Sequence, residues 1–388
     1  MSSEQMSAAA KRIRDIYSIK PCMPFIQREF GFYSIDRWIK EEGFPANVNP
    51  YRYFGFEHDG KFDVWNLGWC EAAFSPSFEE KILEDRGDYE LVQDYAGRGV
   101  LCFKGRRSGF MPEYLSHPVK DEKTWERNVL WRLNPATQSR YVKDTSAIKP
   151  LLDAAARGEM ICQRVIGGYM YLRSLIGPTE LLYMTCENPS LIHACMEAWF
   201  KLADAVTADI QKYVSIDELF FAEDICYNNG LLISPVMIRE FLFPYYTSLI
   251  GNIRTRNLDK NRKLHIQIDT DGNCLPAIPL YSEIGMTAMS PFEVASGCDV
   301  VEIGRNYPDL VMSGGVDKRV LAESKEAIDK FVDRIFPPMF ERGGYIPTCD
   351  HGVPEEVSLD NYNHFRMRCR EFGIQGSYCT AQSNLSQK

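Results

Sequence analysis

Acidic residues recur in this chain where short apolar runs stop. DELFFAED ends in Glu223 and Asp224, KLHIQIDTD in Asp269 and Asp271, and MTAMSPFE in Glu293. DLVMSGGVDKR leads to Asp317, Lys318 and Arg319, and GYIPTCDH ends in Asp350 and His351. Carboxyls brought to one place can move protons or hold a divalent cation. The run around His265 has a polar side. Side chains alternate along a strand, so His265, Gln267, Asp269 and Asp271 share one face, and Ile266 and Ile268 share the other. A polar face on a buried strand is costly unless its groups bind something.

Each group also has a plainer reading. An acid after a strand is as often the N-cap of the next helix, Asp317 most readily. His265 is equally a hydrogen-bonded core residue. His351 sits in the turn DHGVP, where packing alone is a less natural role. Cys349, beside Asp350, could be a metal ligand, a reactive thiol or a small buried residue, the last being the commonest fate. Arg28 and Arg164 lie in strand-like runs. They would suit a substrate carboxylate or phosphate, or pair with the acids opposite.

The elements that must position these groups alternate. From about residue 149, short apolar runs are separated by amphipathic helices: MICQRVIGG, DELFFAED, KLHIQID, MTAMSPFE, DLVMSGG and GYIPTCD read as strands. Ser234-Pro235 opens one helix with a cap and a proline at its first position. The long helical stretch after Pro178 breaks near Asn188-Pro189, and a last helix begins near Ser358. Residues 1–150 read as an irregular, aromatic-rich extension, with MPFIQREF and a run near Val100 as two further strands. About eight strands alternating with helices, and no glycine-rich phosphate loop after any of them, predict an α/β fold: a (β/α)8 TIM barrel in one domain over 1–388, with 151–375 as its main part. In a barrel, the ends of the strands share one mouth, so the acids converge.

Composition narrows the function classes. The net charge of −9 argues against nucleic acid and anionic membranes as partners. No apolar run is long enough to span a membrane. The twelve cysteines form no CxxC pair and the start carries no secretory signal, so a reduced, cytoplasmic setting is expected.

Three ordered motifs carry a resemblance. EDICYNNGLLISPVMIREFLFPYY resembles a strand, acidic loop and "LxSPxxFxEFxxPY" helix of the uroporphyrinogen decarboxylase and corrinoid-linked methyltransferase superfamily. SGGVDKRVL is similar to its "GNxDP" strand end, and PTCDHGVPEEVSLDNY to its terminal "LGHGV" loop, with His351 at the histidine. The likeness covers roughly residues 150–375. Two departures stand out. The decarboxylase "RQAGR" segment is reduced to QREFGFY with Arg28 alone, which disfavours a tetrapyrrole substrate. The methyltransferase "HxCGN" reads DTDGN, placing Asp269 and Asp271 where His and Cys stand.

The resemblance implies a corrinoid-dependent methyltransferase acting on a small methylated or methoxylated compound. It implies a divalent metal, zinc first, held by Asp269, Asp271 and His351 with Cys349 or Glu293 nearby, and a corrinoid brought by a partner protein. His351, Asp350, Asp224 and Glu293 are the expected catalytic groups; Arg28, Arg164, His265 and Gln267 are the expected substrate contacts. Homodimers are common in the superfamily. The alternative is a decarboxylase in which Arg28 and Arg164 grip a carboxylate and Asp224 or Asp350 supplies a proton.

Overall fold

The computed structural model describes residues 6–105, 112–141, 145–374 and 376–379. Its centre is a parallel sheet with strands in the order β1 (Lys61–Leu67), β6 (Met160–Ile166), β7 (Glu218–Ala222), β10 (His265–Asp269), β11 (Ala288–Ser290), β12 (Val311–Ser313) and β13 (Tyr345–Ile346). Neighbours in space are successive along the chain once β1 is passed, with helices between them, which is the connectivity of a TIM barrel. The segment 23–30 packs against the ring. Ile26 packs with Met160 and Ile346 inside the ring, and the Glu29 carboxylate accepts the Cys349 N–H at 2.8 Å.

The strand pattern follows from burial on both faces. Ile161, Val165, Leu219, Phe221, Ile266, Ile268 and Met289 point outward into the core beneath the helices. Met160, Cys162, Ala288, Val311 and Ile346 point inward and meet Ile13, Ile16 and Tyr17 of the helix Ala8–Tyr17, which plugs the ring from below. Such a helix is short for independent stability, so its hold is this apolar stripe. Ser7 caps it by accepting the Ala10 N–H.

Several expectations need correction. The run near Val100 is not a barrel strand. It is β4 (Gly99–Phe103) of an antiparallel sheet, β2 (Lys81–Arg86), β3 (Tyr89–Gln93), β4 and β5 (Glu113–Ser116), so part of the extension is regular, not irregular. Local β-propensity marks a strand but not its partner. MPFIQREF lies along the barrel without regular pairing, while Lys61–Leu67 pairs in parallel with β6. The stretch after Asp317, KRVLAESKEAIDKFVDRIFPPMFERG, reads from its sequence as one helix but is two, Lys318–Glu323 and Lys325–Arg342, divided at Ser324, which caps the second. A small hairpin, β8 (Cys226–Tyr227) with β9 (Gly230–Leu231), interrupts the loop after β7. The break at Asn188-Pro189, the Ser234 cap and the start of the last helix at Ser358 are as expected.

Candidate active site

Parallel strands end together, so the loops after them share one opening. Asp224 follows β7, Asp271 follows β10, Glu293 follows β11, Lys318 follows β12, and Asp350 and His351 follow β13. The backbone bends sharply here. Asp224 (φ 45°) and Phe292 (φ 59°) adopt left-handed conformations that cost a non-glycine residue free energy.

The mouth has two electrostatic halves. In one, Lys318 Nζ donates to Glu293 at 2.8 Å and lies 3.9 Å from Asp350. Asp350 is fully buried and accepts the N–H groups of Val294 (2.9 Å) and Lys318 (3.2 Å). Burial pushes its carboxyl up to about 6 even so. Burial also acts against the charge on Glu293, but Lys318 and the Gly272 N–H hold this carboxyl below its usual range. In the other half, Asp271 Oδ2 is 3.6 Å from His351 Nε2 and has no lysine or arginine in ion-pair range among the described residues. Burial, then the charges of Asp224, Asp269 and Glu293, push Asp271 up to about 7. Burial pushes His351 down, keeping the imidazole neutral near pH 7. Asp224 is paired with Arg173 at 2.6 Å.

Aromatic rings roof the pair. Tyr33 stacks on His351 with centroids 5.6 Å apart, and Phe30 lies 5.8 Å from it. Below, Trp69 stacks on Phe220, and Arg164 lies 3.9 Å over the Phe220 ring. Asp269 sits on the inner face with its carboxylate accepting from Ser290 Oγ; burial raises it to about 6.

Five of the expected site residues thus converge: Asp224, Asp271, Glu293, Asp350 and His351. Others do not reach the opening. His265 lies at the lower end of β10, where its ring meets Tyr17 edge-on and its Nδ1 is 3.1 Å from Thr287 Oγ1. Gln267 is bonded within the ring to Tyr17 and Ser290. The polar face of β10 is real, but its lower half is satisfied internally. Arg28 is spent on Asp59 and Arg164 on Asp63, at 2.8 and 2.9 Å. Cys349 is buried against the Val316 bridge, and burial drives its thiol well above the usual range. That burial fits the reading of Cys349 as a small core residue. Asp317 is the helix cap, accepting the Arg319 N–H.

Sequence reasoning did not single out Tyr33, Phe30, Arg173 or Ser290 as site groups. Phe30 and Tyr33 flank the Arg28 segment, so an aromatic-rich stretch beside a candidate strand was the available signal. Nothing local marks Arg173, which is one of several arginines on helices.

The expected metal ligands are a poor fit to a metal. Among the described residues no three His, Cys, Asp or Glu side chains form a ligand group. Glu293 is engaged by Lys318, Asp269 by Ser290, and Cys349 is fully buried with its thiol held protonated, which leaves Asp271 and His351. Two adjacent donors fall short of the three protein ligands typical of a catalytic zinc site.

Among the described residues no helix is long and apolar enough to cross a membrane. In structure, the chain is similar to a methyltransferase from Methanosarcina mazei: 12% identity, TM-score 0.55, covering 94% of this chain and 98% of that one. At that identity the likeness speaks for the fold. The chain is also weakly similar to xylanase B from Clostridium stercorarium F9, at 9% identity and TM-score 0.32 over 57% of this chain and 75% of that one. No curated protein sequence matches. The uroporphyrinogen decarboxylase (URO-D) family profile matches residues 136–372, more than half of the chain and all of the strands from β6 onward, and so the chain belongs to that family.

Proposed function

We propose that this chain is an enzyme that removes a methyl group from a small methylated or methoxylated compound and delivers it to a corrinoid carried by a partner protein. The observation that carries the reading is Asp271: a carboxyl without a cationic ion-pair partner among the described residues, crowded by Asp224, Asp269 and Glu293, against a neutral His351 under an aromatic roof. Such a group keeps its proton close to pH 7 and can give it up there. When the methyl carbon to oxygen bond of an ether breaks, its electron pair stays on oxygen. The Asp271 proton moves to that oxygen, leaving Asp271 as carboxylate. Tyr33 and Phe30 hold a flat donor and exclude water, while His351 positions the Asp271 carboxyl. The corrinoid, when bound, supplies the acceptor for the methyl group. The exposed rings of Phe30, Tyr33 and Trp65 offer a rim suited to a broad planar ligand.

Decarboxylation is the competing reading, which family membership favours. It needs cations to hold a carboxylate, and Arg28 and Arg164 are both ion-paired already. An acid-rich mouth also repels anions.

The test is anaerobic incubation with reduced free corrinoid and a panel of methoxylated and N-methylated donors. Demethylated product is expected from at least one donor, with kcat lowered about 100-fold or more in Asp271→Asn. Equal turnover in that variant removes Asp271 from the mechanism. Carbon dioxide release from a carboxylate substrate, without methyl transfer, would replace the reading with decarboxylation.

A further inference from the structure

At the opposite end of the barrel from the carboxylate mouth, a cavity of about 300 Å³ opens beside the amino ends of β10 and β11. Its wall runs from the last turn of the helix Phe243–Arg256, through the loop that follows, to the residues just before His265 and Ala288. Four cationic side chains line it, Arg254, Lys260, Arg262 and Lys263, against the single carboxylate of Asp259. This is a concentration of positive charge on a chain whose formal net charge is −9.

Part of this charge has a structural use. Arg262 donates to the buried Asp217 carboxylate at 3.2 Å and lies 3.8 Å from Asp259. Asp217 also accepts the Ile161 N–H at 2.9 Å and is paired with Arg14 at 3.2 Å, so Arg262 is anchored to the barrel floor. Lys260 reaches the Thr255 carbonyl. An arginine in the last helical turn complements the helix dipole, which accounts for Arg254 or Arg256 but not for the whole set. Arg254 and Lys263 have no ion-pair partner among the described residues, and both are exposed to solvent around the cavity. His265, just above, is pushed by burial down to about 4 and adds no charge.

We infer that this cavity binds a small phosphate-bearing anion, held by the Arg254 guanidinium and the Lys263 ammonium with Arg262 fixed behind them. The chemistry fits. A guanidinium fork and an ammonium point charge together match the several oxygens of a phosphate. The volume lies at the lower end of small-molecule sites, which suits one or two phosphate groups on a small body. The site is independent of the reaction at the mouth, and Lys263 joins it to the strand whose upper end carries Asp269.

The probe is inorganic pyrophosphate, titrated calorimetrically into the full chain at constant ionic strength. Saturable binding of one pyrophosphate per chain is expected, with a rise in unfolding temperature. Arg254→Ala combined with Lys263→Ala should weaken binding by roughly tenfold or more, because two charge-assisted contacts are lost. Both side chains are exposed, so this variant should unfold at the wild-type temperature without ligand. Lys318→Ala, in the mouth, should leave the affinity unchanged. Binding that survives the double variant, or heat that chloride at equal ionic strength reproduces, overturns the site. Tighter binding of an oligo-glutamate peptide than of pyrophosphate overturns the phosphate class and makes the face a protein-docking surface.

Discussion

Two layers of the same barrel treat buried carboxyls in opposite ways. In the lower layer Glu218 is wholly buried, yet Lys61 Nζ lies 2.8 Å from it, Tyr17 donates to it, and Arg164 adds its field. Burial works against its charge, but these cations hold its carboxyl down to about 2. At the mouth Asp271 is less buried but lacks such a partner, and it rises to about 7. Residue type therefore does not decide what an acid does in this protein. Compensation does: Glu218, held by a lysine, stays ionised and serves the fold, whereas Asp271, without one and crowded by like charges, keeps a proton it can donate.

The most severe way to break the contrast is to strip the lower layer. Lys61→Met leaves Glu218 buried without its lysine and should cost about 3–5 kcal/mol of folding stability, read by denaturant unfolding. A cost below about 1 kcal/mol would mean the layer is hydrated and the contrast false. Asp271→Asn is the complementary change. Besides its loss of kcat it should leave stability unchanged or raise it by about 1 kcal/mol at pH 8, a figure reduced from the full shift because the side chain is partly exposed to screening solvent. A clear fall in stability would assign Asp271 to the fold.

Titration separates the layers by sign. The carboxyls of Asp269, Asp271 and Asp350 are raised to about 6, 7 and 6, so the folded state holds more protons than the unfolded chain between about pH 4 and 7. Their contribution to stability is full below about pH 4 and is lost as pH rises through 6 to 7. Glu218 does the reverse: its contribution is present above about pH 4.3 and disappears as pH falls toward 2. Activity that needs protonated Asp271 should decline as pH rises through 7 and persist below it, while Asp271→Asn loses that limb of the profile. The smallest effect is expected for Arg28→Ala. It removes a partly exposed pair with Asp59 and should cost no more than about 1 kcal/mol, with turnover preserved. A large rise in KM for an anionic substrate would instead return Arg28 to the site and revive decarboxylation.

Much of the architecture was legible because it rests on local pattern. The strands from Met160 onward, the caps at Ser234 and Asp317, the helix start near Ser358 and the break at Asn188-Pro189 depend on period, capping chemistry and proline, all of which act over a few residues. Convergence of the acids was legible too, since parallel strands must end together. The roles within the set were not. His265 and Asp269 share one face of one strand, yet one meets Tyr17 at the floor and the other Ser290 near the opening. Cys349 and His351 are two residues apart, and one is sealed in the core while the other stacks under Tyr33.

The sequence by itself determined the order of strands and helices, the fold class and the end of the barrel at which the carboxyls gather. Only the tertiary structure decided which carboxyl is neutralised, which arginine is already spent and which strand pairs with which. Those outcomes depend on partners far away in the chain, such as Lys61 with Glu218 and Arg173 with Asp224. Electrostatic compensation is a property of distances in space, and no spacing along the chain encodes it.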